Sequence, residues 1–247
     1  MKKVALITGA TRGIGKAVAI TLGKIGYIVI VNGILKDEGE KVIKELTEQK
    51  IESELYLCDV TNENAVNTMI KEIGEKYGHI DTIINNAGGL GGRQNFDEMS
   101  TEFYRNVIAL NLDSVLFVTR AAIPYLKKSL NYPSIINYTS IAAYNGGGPG
   151  AGIYAAAKGA VLSITKAMAK ELIKSGIRVN AVSPGTIDTA FHSATKKEVM
   201  DTWKTGIAIG RFGDPNEVAN VVEFLVSKKA EYLVGEVIQI NGGQAFI

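Results

Sequence analysis

The 247 residues suit one large α/β domain or two small ones, and a composition 46% hydrophobic and 21% charged supplies enough apolar mass for a sizeable core. The net charge of +2, from 27 basic and 25 acidic side chains scattered along the chain, gives no footprint for nucleic acid. Uninterrupted apolar runs fall short of the ~18 residues a membrane span needs, so no membrane partner is expected. The one cysteine, Cys58, permits no internal disulfide and fits a reducing cytoplasm.

The opening M-K-K-V-A-L-I-T-G-A has a basic start and a short apolar run. Gly9, Thr11 and Arg12 break that run too early for a signal peptide, so a first strand is expected over 4–8. T-G-A-T-R-G-I-G (8–15) follows and opens a helix. Glycines there let the backbone approach a pyrophosphate, which the positive helix N-terminus attracts. Strands follow at 27–31, 54–58, 82–84, 134–138, 178–182 and 237–240, separated by amphipathic stretches at 36–50, 62–77, 101–128, 154–174 and 215–227. Strand–helix alternation builds βαβ units, and continuous apolar strands are those of a parallel sheet buried on both faces. The expected fold is a single-domain, doubly wound, Rossmann-type α/β sheet of about seven strands. Its ligand crevice would be lined by the loops after the strand ends, the Gly-rich pieces 88–92 and 146–152 among them.

Within the stretch over 154–174, Tyr154 and Lys158 stand four apart with alanine between them. Positions i and i+4 share a helix face, so phenol and ammonium can meet. A polar pair on a helix surface has the same spacing, so the pair needs a cofactor and partners to carry meaning. Asn111 stands mid-helix, where asparagine is unfavourable; a chemical role and a buried kink with a satisfied side chain are both open.

T-G-A-T-R-G-I-G, N-N-A-G (85–88), a serine ahead of Y-x-x-x-K, and S-P-G (183–185), in that order, resemble the short-chain dehydrogenase/reductase family. The likeness runs through G-R-F-G-D-P-N-E-V-A (210–219) to I-N-G-G (240–243) and, within the family, is nearest the 3-oxoacyl-[acyl-carrier-protein] reductases of fatty acid biosynthesis. The resemblance implies a nicotinamide dinucleotide, with Gly9, Thr11, Arg12, Gly13, Ile14 and Gly15 on the pyrophosphate side and Asn32 among the contacts after the second strand. Asp59 and Val60 would meet the adenine, and Asn86, Ala87 and Gly88 would lie along the ribose and nicotinamide. Pro184, Gly185, Ile187 and Thr189 would meet the carboxamide. Asp59 as a turn aspartate and Pro184-Gly185 as a simple turn remain the alternatives.

The implied catalytic set is Ser140, Tyr154, Lys158 and Asn111, with no metal. Tyr154 would exchange a proton with the substrate oxygen, its pKa drawn from near 10 toward ~7 by the Lys158 cation and an oxidised nicotinamide. Ser140, with Thr139 as its neighbouring competitor, would hold that oxygen. Asn111 would anchor a water relaying protons toward Lys158. NAD-specific relatives carry an acid where Gly33 stands, so NADP(H) is expected over NAD(H), with Arg12 or Lys36 on the 2′-phosphate.

The expected reaction reduces a ketone to a secondary alcohol, foremost a 3-oxoacyl thioester with acyl carrier protein as a candidate partner. Free sugars, sugar acids or polyols are the alternative substrates, and a non-catalytic dinucleotide-binding regulator is the alternative of another class. Three departures bear on the substrate. The Ser140–Tyr154 interval is one residue longer than the family's, absorbed in 146–152. The loop 89–96 is richer in glycine, and its Arg93 is either an anion receiver or solvated. Lys127, Lys128 and Lys174 are the candidates for a carrier-protein patch. A substrate lid over 190–212, with Gly206 and Gly210 as hinges and Trp203 upon it, and a homotetramer built on the last strand, the long helices and the apolar tail Ala245-Phe246-Ile247, complete the expectations.

Overall fold

Strand β2 (Tyr27–Gly33), Y-I-V-I-V-N-G, is buried at every position, as a central parallel strand covered on both faces must be. The computed structural model describes residues 2–189 and 197–247. Around β2 lie β1 (Lys3–Ile7), β3 (Ser53–Leu57), β4 (Thr82–Asn85), β5 (Ser134–Tyr138), β6 (Arg178–Pro184) and β7 (Val237–Ile240). They form one seven-stranded sheet in the order β3-β2-β1-β4-β5-β6-β7, with every pair parallel. From β1 the chain winds outward through β2 to β3, and from β4 outward through β5 and β6 to β7. A crevice therefore opens beyond the carboxyl ends of β1 and β4, where the winding reverses.

Alternate strand residues feed two cores. Ala5, Ile7, Val29 and Val31 face α1 (Gly13–Lys24), α2 (Lys36–Glu48) and α9 (Pro215–Val226), through residues such as Val18, Leu46 and Val222. Val4, Leu6, Ile28 and Ile30 face α3 (Glu63–Tyr77), α5 (Ser114–Leu126) and α7 (Gly152–Leu172), through Ile70, Val118 and Leu172. Caps fix the helix starts: the Asn62 side chain accepts from Ala65 N, and Asp214 with Glu217 closes a capping box ahead of α9. Among the described residues the other α-helices are α4 (Thr101–Ile108), the one-turn α6 (Ala142–Asn145) and α8 (Lys197–Thr205).

The stretch read as one helix over 101–128 is α4 and α5 joined by a π-helical turn at Ala109–Asp113. By length and average apolar composition alone Thr101–Leu126 would be long enough to cross a membrane, although its uninterrupted apolar runs are short, as the sequence shows. It is a domain helix nonetheless, carrying Val118, Ala122 and Leu126 into the core beneath the sheet. Residues 190–196 of the expected lid lie outside the described residues. Of its remainder, α8 carries Trp203, Gly210 takes a left-handed φ of 76°, and Ile209 N donates to Gly242 O at 3.1 Å.

Candidate active site

The loop after β1 is shaped by close approach. A Cβ on Gly15 would lie 2.5 Å from Gly9 O and 2.6 Å from Asn86 Nδ2, and Gly9 sits at φ 61°. No described side chain caps the N-terminus of α1, and its first turn holds no acid. Its leading N–H groups therefore face the crevice as a ready anion seat. Thr8, which sequence reasoning passed over, ties this loop to the end of β4: its Oγ1 accepts from Asn86 N at 3.1 Å and Ala87 N at 3.0 Å. Asn86 Nδ2 donates back to Thr8 O at 2.9 Å and Gly9 O at 3.0 Å.

A cavity of about 290 Å³ runs along the carboxyl ends of the strands. Of the expected contacts, Gly9, Arg12, Gly13, Ile14, Asn86, Gly88, Ser140, Tyr154, Lys158, Pro184, Gly185, Ile187 and Thr189 line it. Thr139, the competitor of Ser140, lines it too, and Tyr138, Ile141 and Thr186 join them unforeseen. The glycine cradle, uncapped helix start and elongated crevice fit a dinucleotide.

Other expected contacts stand behind the wall or beside it. Asn32 is buried and its side chain turns inward: Oδ1 accepts from Gly9 N at 3.3 Å, and Nδ2 donates to Cys58 O at 2.9 Å. It holds the loop in place rather than lining the cavity. Gly15 and Ala87 likewise shape the wall through their packing. Asp59 is exposed and its Oδ1 accepts from Thr61 N at 2.9 Å and Thr61 Oγ1 at 2.7 Å, the turn arrangement left open above. Val60 is buried beneath it. Pro184-Gly185 is no simple turn. Pro184 ends β6 opposite Ile240, and a Cβ on Gly185 would lie 2.7 Å from Gln244 Oε1.

A Cβ at position 33 would lie 2.3 Å from Thr11 Cγ2, so a side chain there would have to turn Thr11 aside. A carboxylate reaches the loop from elsewhere. Glu38, in the first turn of α2, accepts from Thr11 Oγ1 at 3.3 Å and lies 3.8 Å from Arg12 Nη1.

The catalytic candidates converge from β5, α7 and the π turn. Thr139 spends its hydroxyl on Val182 O at 3.3 Å, whereas Ser140 Oγ faces the cavity and hydrogen-bonds the Tyr154 phenol. Lys158 is buried, donates to Tyr138 O at 2.9 Å and lies 5.8 Å from the Tyr154 ring centre. Asn111 is wholly buried in a kink with a satisfied side chain, one of the two readings left open above. Nδ2 donates to Gly89 O at 2.8 Å and Val107 O at 2.9 Å, while Oδ1 accepts from Gly89 N at 3.0 Å. The π turn aims this amide sideways at the loop after β4. A Cβ on Gly88 would lie 2.9 Å from Asn111 Oδ1 and 3.1 Å from Lys158 Nζ, so one small gap separates the two side chains.

The electrostatics describe the site before any dinucleotide enters it. Burial pushes the Tyr154 phenol above its ordinary range, with the Ser140 hydrogen bond only partly offsetting it. Burial also pulls the Lys158 ammonium down to about 8. In the protein alone, loss of water therefore keeps Tyr154 protonated at neutral pH, the form that can donate.

Two glycine-rich loops meet at the mouth. Arg93 Nη1 donates to Pro149 O at 2.8 Å, Gln94 N donates to Gly150 O at 3.1 Å, and the Phe96 ring lies where a Cβ on Gly152 would meet it at 2.5 Å. The exposed Arg93 thus serves the neighbouring loop. Lys127, Lys128 and Lys174 follow α5 and α7 and precede β5 and β6, so they lie at the amino ends of the strands, opposite the crevice.

Residues 9–245 match a family model described as enoyl-(acyl carrier protein) reductase. Similar proteins include the 3-oxoacyl-[acyl-carrier-protein] reductase of Thermotoga maritima, 39% identical over 98% of this chain and 97% of that one. That of Staphylococcus epidermidis is 37% identical over 98% and 99%. Among solved structures, an NADH-dependent reductase responsible for alginate metabolism has a TM-score of 0.92 at 36% identity, covering 100% of this chain and 98% of that one. A Brucella melitensis protein titled glucose/ribitol dehydrogenase has a TM-score of 0.92 at 32% identity, covering 99% and 97%.

Proposed function

The chain belongs to the short-chain dehydrogenase/reductase family, and from that premise we propose that it reduces a 3-oxoacyl thioester to the 3-hydroxyacyl thioester at the expense of NAD(P)H. The observation that carries this reading is the meeting of Ser140, Tyr154 and Lys158 in the cavity that the glycine loop opens into. When bound, the reduced nicotinamide supplies hydride to the carbonyl carbon. Ser140 Oγ and the Tyr154 phenol hold the ketone oxygen, and Tyr154 passes its proton to that oxygen as charge develops there. Lys158, fixed by the Tyr138 carbonyl, stabilises the phenolate left behind. The Asn111 carbonyl, across the gap beside Gly88, stands where a water could link Lys158 to solvent and return the proton.

Two relatives named as acyl-carrier-protein reductases support the thioester, with free and carrier-bound forms both admitted. The lysines once considered for the carrier give it no support, since they lie at the far end of the sheet. Free sugars or sugar acids form a second reading, favoured by structural likeness to an alginate-pathway reductase and a glucose/ribitol dehydrogenase. The deciding experiment follows dinucleotide oxidation, with NADPH and with NADH, on acetoacetyl thioesters against a panel of free sugars and ketones. Turnover confined to free sugars would overturn the thioester, and no turnover on any ketone would overturn the enzyme. Tyr154→Phe should lose roughly 1000-fold in kcat, and near-normal turnover would sink the proton assignment.

A homotetramer is part of the same reading. It is supported by the half-exposed edge strand β7 and by Phe246 and Ile247, which are 89% and 62% exposed. A monomer at micromolar concentration in light scattering would contradict it.

A further inference from the structure

We propose that Glu38 selects the dinucleotide: its carboxylate receives the adenosine ribose diol of NADH and turns away the 2′-phosphate of NADPH. This rests on the dinucleotide reading above and reverses the preference that the bare Gly33 position suggested. With no side chain from the end of β2 over the loop, the first turn of α2 reaches it. Glu38 meets Thr11 Oγ1 at 3.3 Å and Arg12 Nη1 at 3.8 Å. An acid some twenty residues past the glycine loop is suited to a ribose hydroxyl, because an ionised carboxylate only accepts and a hydroxyl can donate. A 2′-phosphate only accepts as well and carries close to two negative charges.

Both cations expected to welcome that phosphate already face a carboxylate. Arg12 faces Glu38, and Lys36 lies 3.6 Å from Glu40 along its own helix. The first turn of α2 also carries Asp37. A phosphate here must displace Glu38 from Arg12 or sit beside an uncompensated carboxylate. Charges of this size at about 4–5 Å amount to roughly a tenfold penalty or more even with water's screening.

The test is direct binding, independent of turnover: titration of NADH and of NADPH into the full-length protein, followed by calorimetry or by dihydronicotinamide emission. The wild type should bind NADH at least about tenfold more tightly than NADPH, and Glu38→Gln should shrink that ratio by about tenfold or more. Glu48→Gln removes the same charge at the far end of the same helix and should move the ratio by less than about twofold, the distance-dependent screening expected at a surface. A wild type that prefers NADPH overturns the assignment, as does an unchanged ratio in Glu38→Gln or an equal shift in Glu48→Gln. If NADPH wins while ketone reduction persists, only this inference falls. If neither dinucleotide binds, the functional reading falls with it.

Discussion

Replacing Lys158 by methionine should make the ligand-free protein more stable at neutral pH while abolishing its activity. The ammonium is buried, and loss of water pulls its pKa from 10.5 to about 8. Below pH 8 the lysine is charged in both the folded and unfolded chains, so the whole cost of burying that charge is present, roughly 3 kcal/mol. Methionine fills nearly the same volume without the charge but leaves the Tyr138 carbonyl without its donor, at a cost of about 1 kcal/mol. The net gain of about 2 kcal/mol corresponds to about 4–8 °C in melting temperature for a chain of this length. Between pH 8 and 10.5 the unfolded chain binds more protons at this position than the folded one. Wild-type stability from this group therefore rises with pH, and the gap to Lys158→Met closes. Tyr154 works the other way. Its raised pKa favours the folded phenol below pH 10, and that contribution is lost as pH climbs past 10 toward the folded value, so the window to use ends near pH 9.5. Thermal melts of ligand-free wild type and variant from pH 6.5 to 9.5 give the answer. A variant that melts at or below the wild type at pH 7, or a gap that stays constant across the range, refutes the reasoning.

Gly88→Ala places a methyl group 2.9 Å from Asn111 Oδ1 and 3.1 Å from Lys158 Nζ. Displacing the ammonium should lower kcat by roughly a hundredfold with little change in melting temperature, and turnover within twofold of wild type would dismiss the crowding argument. Asp81 is fully buried at the amino end of β4, accepting from Val4 N at 2.6 Å, from Asn131 Nδ2 at 3.1 Å and from Ser129 Oγ. Asp81→Ala strands those donors far from the crevice and should cost about 3 kcal/mol or more in urea unfolding. The activity of the folded fraction should stay unchanged, and a selective loss of activity would contradict a purely structural role.

The central strands are legible in the sequence because V-A-L-I and Y-I-V-I-V are short apolar, β-branched runs of the kind a sheet covered on both faces accommodates, and β3, β5, β6 and β7, broken by polar residues, are legible through their alternation with helices. Their ends are less so. Strands β2 and β6 run two residues beyond the apolar stretch, since parallel pairing continues to Asn32-Gly33 opposite Tyr56-Leu57 and to Ser183-Pro184 opposite Gln239-Ile240. The order of motifs points to Ser140 and Tyr154, but the choice over Thr139 rests on the hydroxyl that Val182 O takes up. An asparagine mid-helix announces that something is unusual at 111. The π turn that explains it depends on Gly89, which only folding brings within reach. Glu38 reads as an ordinary polar residue of an amphipathic helix, and its contact with the glycine loop comes from the loop's path over Gly33. Spacing reveals a cation beside Tyr154 but not the water that both groups lose, which raises the phenol's pKa in the ligand-free protein.

The stitching of the loops 89–96 and 146–152 has a consequence for anyone reshaping the substrate mouth. Arg93 with Pro149, Gln94 with Gly150, and Phe96 with Gly152 make the two segments a single inherited unit although more than fifty positions separate Arg93 from Pro149. A chimera that imports one loop from a relative and keeps the other leaves a carbonyl without its guanidinium or sets a new side chain against the Phe96 ring. The second loop ends where the helix bearing Tyr154 begins, so such a mismatch would travel into the reacting groups themselves. Transplants that move both segments together preserve the fit, and they are the natural currency for exchanging specificity on this scaffold.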